Sequence, residues 1–251
     1  MMVVLMVGAL SLLSMFRLGL FDPSRLFLAS KNIMQFFAEI FPPQLDLLPT
    51  LSRAIGETIQ MSFTGTALGF LMSLPLAFWG ARNLFGRLVG AVVRLVVSGI
   101  RTIPSILFGV IFVIAFGLGP TAGTLGVAFY TVGYLAKLYY EAFEAVDPEV
   151  IEAVKTTGCN RLQLFRFVIL PETANTIISQ LLFMFEYNIR ASTIMGFVGA
   201  GGIGYYMVGY VQMLQYQHLL TALLLTFLVV MMIDYFSFQI RSVVHHHSLS
   251  R

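Results

Sequence analysis

From Thr58 to Gly80 the chain runs about 23 residues without one Asp, Glu, Lys or Arg. As a helix this stretch would measure roughly 34 Å, enough to cross the ~30 Å hydrocarbon layer of a bilayer. A soluble domain can hold such a segment only by surrounding it with other residues that face water. This chain has too few of them, since 58% of its 251 residues are hydrophobic and only 11% are charged. Lipid must therefore cover much of the surface. Backbone in lipid has to satisfy its own hydrogen bonds, which favours helices. The expectation is an all-α integral membrane protein.

Five further apolar runs bring the expected count to six transmembrane helices. They are Met1 to Leu20 (interrupted by Arg17), Ile103 to Gly117, Ala122 to Tyr140, Thr173 to Ile189, and Leu219 to Ile240 (interrupted by Asp234). Lys137 lies near one end of its run, where it can snorkel. Residues 1–57 read as an N-terminal span followed by amphipathic, interfacial helices, with Leu26, Phe27, Ile33, Phe36, Phe37 and Ile40 forming the apolar side. Residues 58–242 form the transmembrane domain and 243–251 a polar C-terminal tail. Arg82, Arg87, Arg94 and Arg101 lie between two spans, the last three spaced by seven on one helical face. That face is expected to touch lipid phosphates. The 80–101 connection, the 141–172 loop and the tail carry basic residues, while 118–121 and 191–217 carry none. The positive-inside bias then places both termini in the cytoplasm. Arg25, Lys31 and Arg53 fall on the opposite side and stand against this assignment.

Several chemistries find no support. Cys159 is the single cysteine, and the four His are His218 and the run His245, His246, His247. No catalytic residues, no metal ligands and no cofactor bound by this chain are expected. The net charge of +3 is scattered, as for a membrane protein and not for one that binds nucleic acid.

The polar segment Glu141 to Glu172 is the exception in an apolar chain. Asp147-Pro148 reads as an N-cap followed by proline at the first helical position. Glu149 to Thr157 then forms a short helix with Lys155 near its end, and Gly158 stops it. A second helix starts near Asn160 and runs toward Pro171. On spacing alone this is either a solvated loop or a docking element.

The segment resembles the EAA motif of ABC-importer permeases. That pattern is Glu-Ala-Ala, three residues, Gly, nine residues, Ile, one residue, Leu-Pro. Here it appears as Glu152-Ala153-Val154, Gly158, Val168 and Leu170-Pro171. The stretches "RTIPSILFG" (101–109) and "EYNIRASTIMGFVGAGGIG" (186–204) are similar to those of phosphonate-type permeases. The resemblance covers roughly residues 58–240. It implies the six-helix type I ABC importer permease fold, with a cytoplasmic coupling helix between spans 4 and 5, in a bacterial cytoplasmic (inner) membrane. ATPase coupling would fall to Glu149, Glu152, Ala153, Lys155, Gly158, Leu170 and Pro171. The implied partners are a pair of ABC ATPase subunits that hold ATP and Mg, a periplasmic or surface-tethered solute-binding protein, a second copy of the chain, and membrane lipid. The implied cargo is phosphonate or a related phosphorus oxyanion such as phosphite or phosphate. Methionine or another small solute is the alternative within the class, because methionine-type importers share the 186–204 pattern. A membrane-embedded enzyme and a passive channel are the readings from other classes. The first lacks a convergent His, Asp or Glu set, and the second has no need of a coupling loop.

Gly199 to Gly204 also satisfies a GxGxxG pattern, but between apolar helices and with no acidic residue before Asp234, so no dinucleotide site is expected. Gly199, Gly201 and Gly202 instead suit sharp turns, close helix packing or a gate at the outer mouth. Glu186 and Arg190 are four apart and can pair along one helix, or Arg190 can admit anionic cargo. Asp234 can pair with Lys137 or sit near the cytoplasmic boundary. Arg101, Pro104 and Asn188 complete the pathway and gate candidates. Thr64, Thr66, Ser105, Ser192 and Thr193 either line a path or bond between helices.

Overall fold

The computed structural model describes residues 1–248, all of its regular structure helical. Residues 249–251 of the expected tail lie outside the described residues, as do the side chains of the His245–His247 run. The order is α1 (Met2–Arg17), α2 (Pro23–Ile40), α3 (Leu48–Gly80), α4 (Arg82–Thr102), α5 (Ser105–Phe116), α6 (Pro120–Glu144) and α7 (Pro148–Lys155), then α8 (Arg161–Leu164), a π-helical turn (Phe165–Ile169), α9 (Leu170–Gly196), α10 (Gly202–Gln212) and α11 (Tyr216–Ser248).

Helices α3 and α6 form the centre. They approach closely because a Cβ at Gly69 of α3 would stand 2.5 Å from Thr131 Cβ and 2.9 Å from Ala128 O of α6. Small residues are how helices gain contact in a solvent as apolar as their own side chains. α4, α5 and α9 pack around this pair, and α10 and α11 pack on the end of α3 that carries Leu51, Ala54 and Ile55. The main core joins Ala77, Val97, Leu135, Tyr139, Phe143, Ile151, Ile169 and Met184.

Among the described residues, four segments are long and apolar enough to cross a membrane: Leu48–Gly80, Arg82–Thr102, Arg161–Gly196 and Tyr216–Ser242. α6, at 25 residues, runs beside α3 through the same height. The expected Ile103–Gly117 span is shorter. α5 has 12 residues, about 18 Å, too few to cross the hydrocarbon layer by itself. The break falls where Ile103 is extended (φ −83°, ψ 120°), as a residue before proline must be. α1 has 16 residues, about 24 Å, short of the ~20-residue requirement. Its surface is exposed and it makes no extensive contact with the bundle. α2 takes the expected amphipathic form, started by Asp22, whose carboxylate accepts from Ser24 N at 3.0 Å.

The second helix of the polar segment does not end at Pro171. It continues into the fifth span as one helix, Arg161–Gly196. The π-helical turn makes this possible. Proline lacks an N–H and its ring crowds the carbonyl four residues back, here that of Phe167. One extra residue in the turn, with Leu170 N bonding to Phe165 O, relieves that crowding.

Candidate coupling loop and translocation face

The loop is built by local capping. Asp147 accepts from Glu149 N at 2.9 Å and Pro148 opens α7. Gly158 turns the chain with φ +81°, a left-handed conformation that a side chain would strain. Asn160 and Gln163 form a reciprocal capping box, with Gln163 N donating to Asn160 Oδ1 at 2.8 Å and Asn160 N to Gln163 Oε1 at 2.9 Å. α7 has two faces. Ile151 is buried and Val154 packs with it against the core of Phe143, Leu164 and Ile169. Glu149, Val150, Glu152, Ala153, Lys155 and Gly158 are exposed. The helix is thus pinned from behind and presents a short, acidic and apolar ridge in front. Leu170 is half-buried and Pro171 exposed, at the start of the span.

A clamp not foreseen from the sequence holds the base of this loop. Glu144, at the end of α6, accepts from Arg82 N at 2.6 Å and pairs with Arg94. Arg94 also donates to Gly80 O at 3.0 Å and lies 4.2 Å from the centre of the Tyr140 ring. Asn83 donates to Phe143 O at 2.8 Å. Arg94 of α4 therefore turns toward α6, while Arg87 stays exposed. Arg94 is not at lipid phosphates as expected, because a carboxylate, a carbonyl and a ring on neighbouring helices satisfy it better. Arg101, one heptad on, lies 5.0 Å from the Tyr134 ring centre and follows the same face.

The expected Glu186–Arg190 pair does not form. Arg190 reaches Asp234 of α11, with Oδ1 and Oδ2 at 3.1 and 3.0 Å, and Glu186 meets Arg241 at 2.9 Å. Packing α11 antiparallel to α9 supplies a partner for each charge, and this outweighs an i,i+4 pair of ~0.2–0.5 kcal/mol. Lys137 correspondingly bonds Glu141 at 3.3 Å and not Asp234. Asn188 is also removed from the path. Fully buried, it donates to Thr66 Oγ1 at 2.8 Å and Thr131 Oγ1 at 2.7 Å, tying α9 to α3 and α6. Ser62 and Ser192 share a 2.8 Å hydrogen bond beside it. These hydroxyls bond between helices, whereas Thr64 is exposed.

Gly199 and Gly201 lie between α9 and α10 and Gly202 opens α10, with φ of +85°, +84° and +70°. Gly202 N donates to Glu57 Oε1 at 2.7 Å and Ile203 N to Thr58 Oγ1 at 2.8 Å, so α3 caps α10. The glycines accordingly build a packed turn with its helix start occupied by a carboxylate, which leaves no room for a nucleotide phosphate. Beside it lies a cavity of about 700 Å³, lined by Arg53, Glu57, Gln60, Thr64, Thr121 and Thr124 among others. Pro104 stands at the α4–α5 break.

This arrangement of apolar helices with a polar helix-turn-helix at one end agrees with a sequence match. Residues 73–245 match the family described as binding-protein-dependent transport system inner membrane component. The chain belongs to this family. It is a permease subunit of an ABC importer, a transport component and not an enzyme, working with a separate ATPase and a solute-binding protein. The permease is 34% identical to the phosphite transport system permease protein PtxC of Stutzerimonas stutzeri, over 93% of this chain and 86% of that one. It is 32% identical to the putative phosphite permease HtxC of the same organism, over 85% and 76%. It is 36% identical to the phosphate-import permease PhnE of Mycolicibacterium smegmatis, over 74% of this chain and 35% of that one. Among solved structures it superimposes on a chain of the inward-facing MetNI methionine ABC transporter with TM-score 0.72, at 23% identity and over 80% and 99% of the two chains. The permease is thus a multi-pass membrane protein with the type I ABC importer fold.

The charge pairs of the permease lead to one prediction. Arg190→Gln leaves Asp234 in the membrane without its partner, and thermal melting of the purified complex should fall by several degrees. The Arg190→Gln/Asp234→Asn double variant should recover most of the loss, since removing both charges costs little. No recovery in the double variant would mean that Arg190 acts apart from Asp234.

Proposed function

We propose that this permease carries a phosphorus oxyanion, phosphite or phosphonate or phosphate, in a homodimer whose two copies enclose the pathway. The observation that carries this reading is its likeness, along most of its length, to the permeases named for phosphite transport. The binding protein selects the cargo and delivers it at the outer face, beside the cavity near Arg53 and the turn of Gly199, Gly201 and Gly202. The exposed ridge of α7, with Glu149, Glu152, Ala153 and Lys155, docks into a cleft of the ATPase, with Gly158 setting the turn behind it. Leu170 and Pro171 pass the movement into α9. Closure of the two ATPase subunits on ATP and Mg draws the coupling helices together, and hydrolysis resets the inward-facing form. The coupling loop and the C-terminal end of α11 face the cytoplasm, and lipid covers the outer wall.

The test is uptake into proteoliposomes holding permease, ATPase and binding protein. Saturable, ATP-dependent uptake of phosphite or a phosphonate, competed by the other phosphorus oxyanions and not by sulfate or methionine, is the expected result. Methionine uptake alone would refute the assignment of cargo while leaving the importer class intact.

A further inference from the structure

Among the described residues, four cations of the spanning helices are paired with carboxylates, while Arg53, Arg82 and Arg87, near the starts of α3 and α4, form no ion pair. Arg190 has Asp234, Arg241 has Glu186, Lys137 has Glu141, and Arg94 has Glu144. Arg101 forms no ion pair among the described residues, and its Nε is buried without a hydrogen-bond partner. Its depth follows from its neighbour. Tyr134 lies ten residues from Glu144 and fourteen from Pro120 along α6, about 15 Å and 21 Å from the two ends. An unpaired guanidinium at that depth is costly and marks a path or a binding site.

A row of three phenols leads away from it. The Arg101 guanidinium carbon lies 5.0 Å from the Tyr134 ring centre, Tyr134 and Tyr130 are 4.7 Å apart, and Tyr130 stacks on Tyr187 at 5.7 Å. Tyr130 is buried, but Tyr187 is 38% exposed. A face that carries phenols and a guanidinium does not suit hydrocarbon, so it borders water or protein. The cation–π contact leaves guanidinium donors without an oxygen acceptor, Nε among them. Guanidinium and phenol hydroxyl groups are the kinds of donor that suit a tetrahedral oxyanion. The backbone makes room for it, since a Cβ at Gly133 would stand 3.0 Å from Arg101 Cγ and 2.8 Å from Ile100 Cγ2.

We propose that Arg101, with Tyr130, Tyr134 and Tyr187, forms an intramembrane subsite whose missing counter-charge is the anionic cargo itself, held in transit between the binding protein and the cytoplasm. This rests on the cargo being an anion, as the function above assigns.

The experiment uses the complete complex in proteoliposomes and reads phosphite moved per ATP hydrolysed. Arg101→Gln should lower this ratio at least tenfold and Arg101→Lys should recover part of it. Tyr187→Phe, at an exposed position, should lower it about threefold and decides the matter if Arg101→Gln does not assemble. Gly133→Ala should act in the same direction by displacing the arginine. A ratio within twofold of the wild type in Arg101→Gln overturns the subsite. So does Arg101→Gln breaking the permease pair into single copies with Tyr187→Phe unaffected, which would make Arg101 an interface cation facing the second copy. Wild-type uptake of a neutral or cationic solute defeats both proposals. Uptake of a different anion, with the same dependence on Arg101, defeats the phosphorus assignment alone.

Discussion

Glu152→Lys combined with Ala153→Trp is expected to detach the permease from its ATPase while leaving the permease folded. Both residues are exposed on the ridge of α7, and the fold is held from the other face by Ile151 and Val154. Exposed substitutions of this kind change stability by about 0.5 kcal/mol or less. At a docked interface, a reversed charge and an indole in place of a methyl group should together cost roughly 2–3 kcal/mol, about 30–150-fold in affinity. Co-purification with the ATPase should fall accordingly, and uptake with it, while the thermal melting of the permease alone stays within about two degrees. Undiminished ATPase binding would show that α7 is not the docking element.

Gly204→Val is expected to have the opposite profile, a loss of the fold itself. A Cβ at Gly204 would lie 1.8 Å from Thr193 O, a backbone atom of α9, and 3.2 Å from Gly196 Cα. No rotamer change can relieve a clash between two backbones. α10 would have to leave α9, and with it the contacts of Gly202 and Ile203 to Glu57 and Thr58. Overpacking of this kind costs about 3 kcal/mol or more. Fluorescence-detected size exclusion after heating should show the variant aggregating well below the wild type. A variant as heat-stable as the wild type would mean that α9 and α10 are not packed this closely.

These two variants also separate what was legible in the chain from what was not. The loop around α7 could be read residue by residue. Asp147, Pro148, Gly158 and Asn160 act on backbone groups within four positions of themselves, so their caps and turn are written locally. The heptad of Arg87, Arg94 and Arg101 was likewise legible as one face. Its target was not, because nothing within a turn of Arg94 reveals that Glu144, fifty positions on, will face it. Glu186 and Arg190 show the same limit. Four-residue spacing makes a pair available, but two helices in contact offered each residue a better one. Asn188, a pathway candidate by its polarity, is instead a buried cross-link among three helices. The π-helical turn carries a sequence signal in Pro171, which demands some local departure from α geometry without saying which.

The sequence by itself determined the solvent of this protein, its helical class, its apolar segments and the polar helix-turn-helix of α7 and α8. These depend on composition, on period and on contacts within a few residues, all of which survive without knowledge of the neighbours. Only the tertiary structure decided which charges cancel, which hydroxyls are cross-links and that Arg101 is held at depth without a carboxylate partner. Those outcomes follow from the rotation of each helix about its axis and its height beside the next. Interhelical packing sets both, and at Gly69, Gly133 and Gly204 it does so through the close approach that a missing side chain allows.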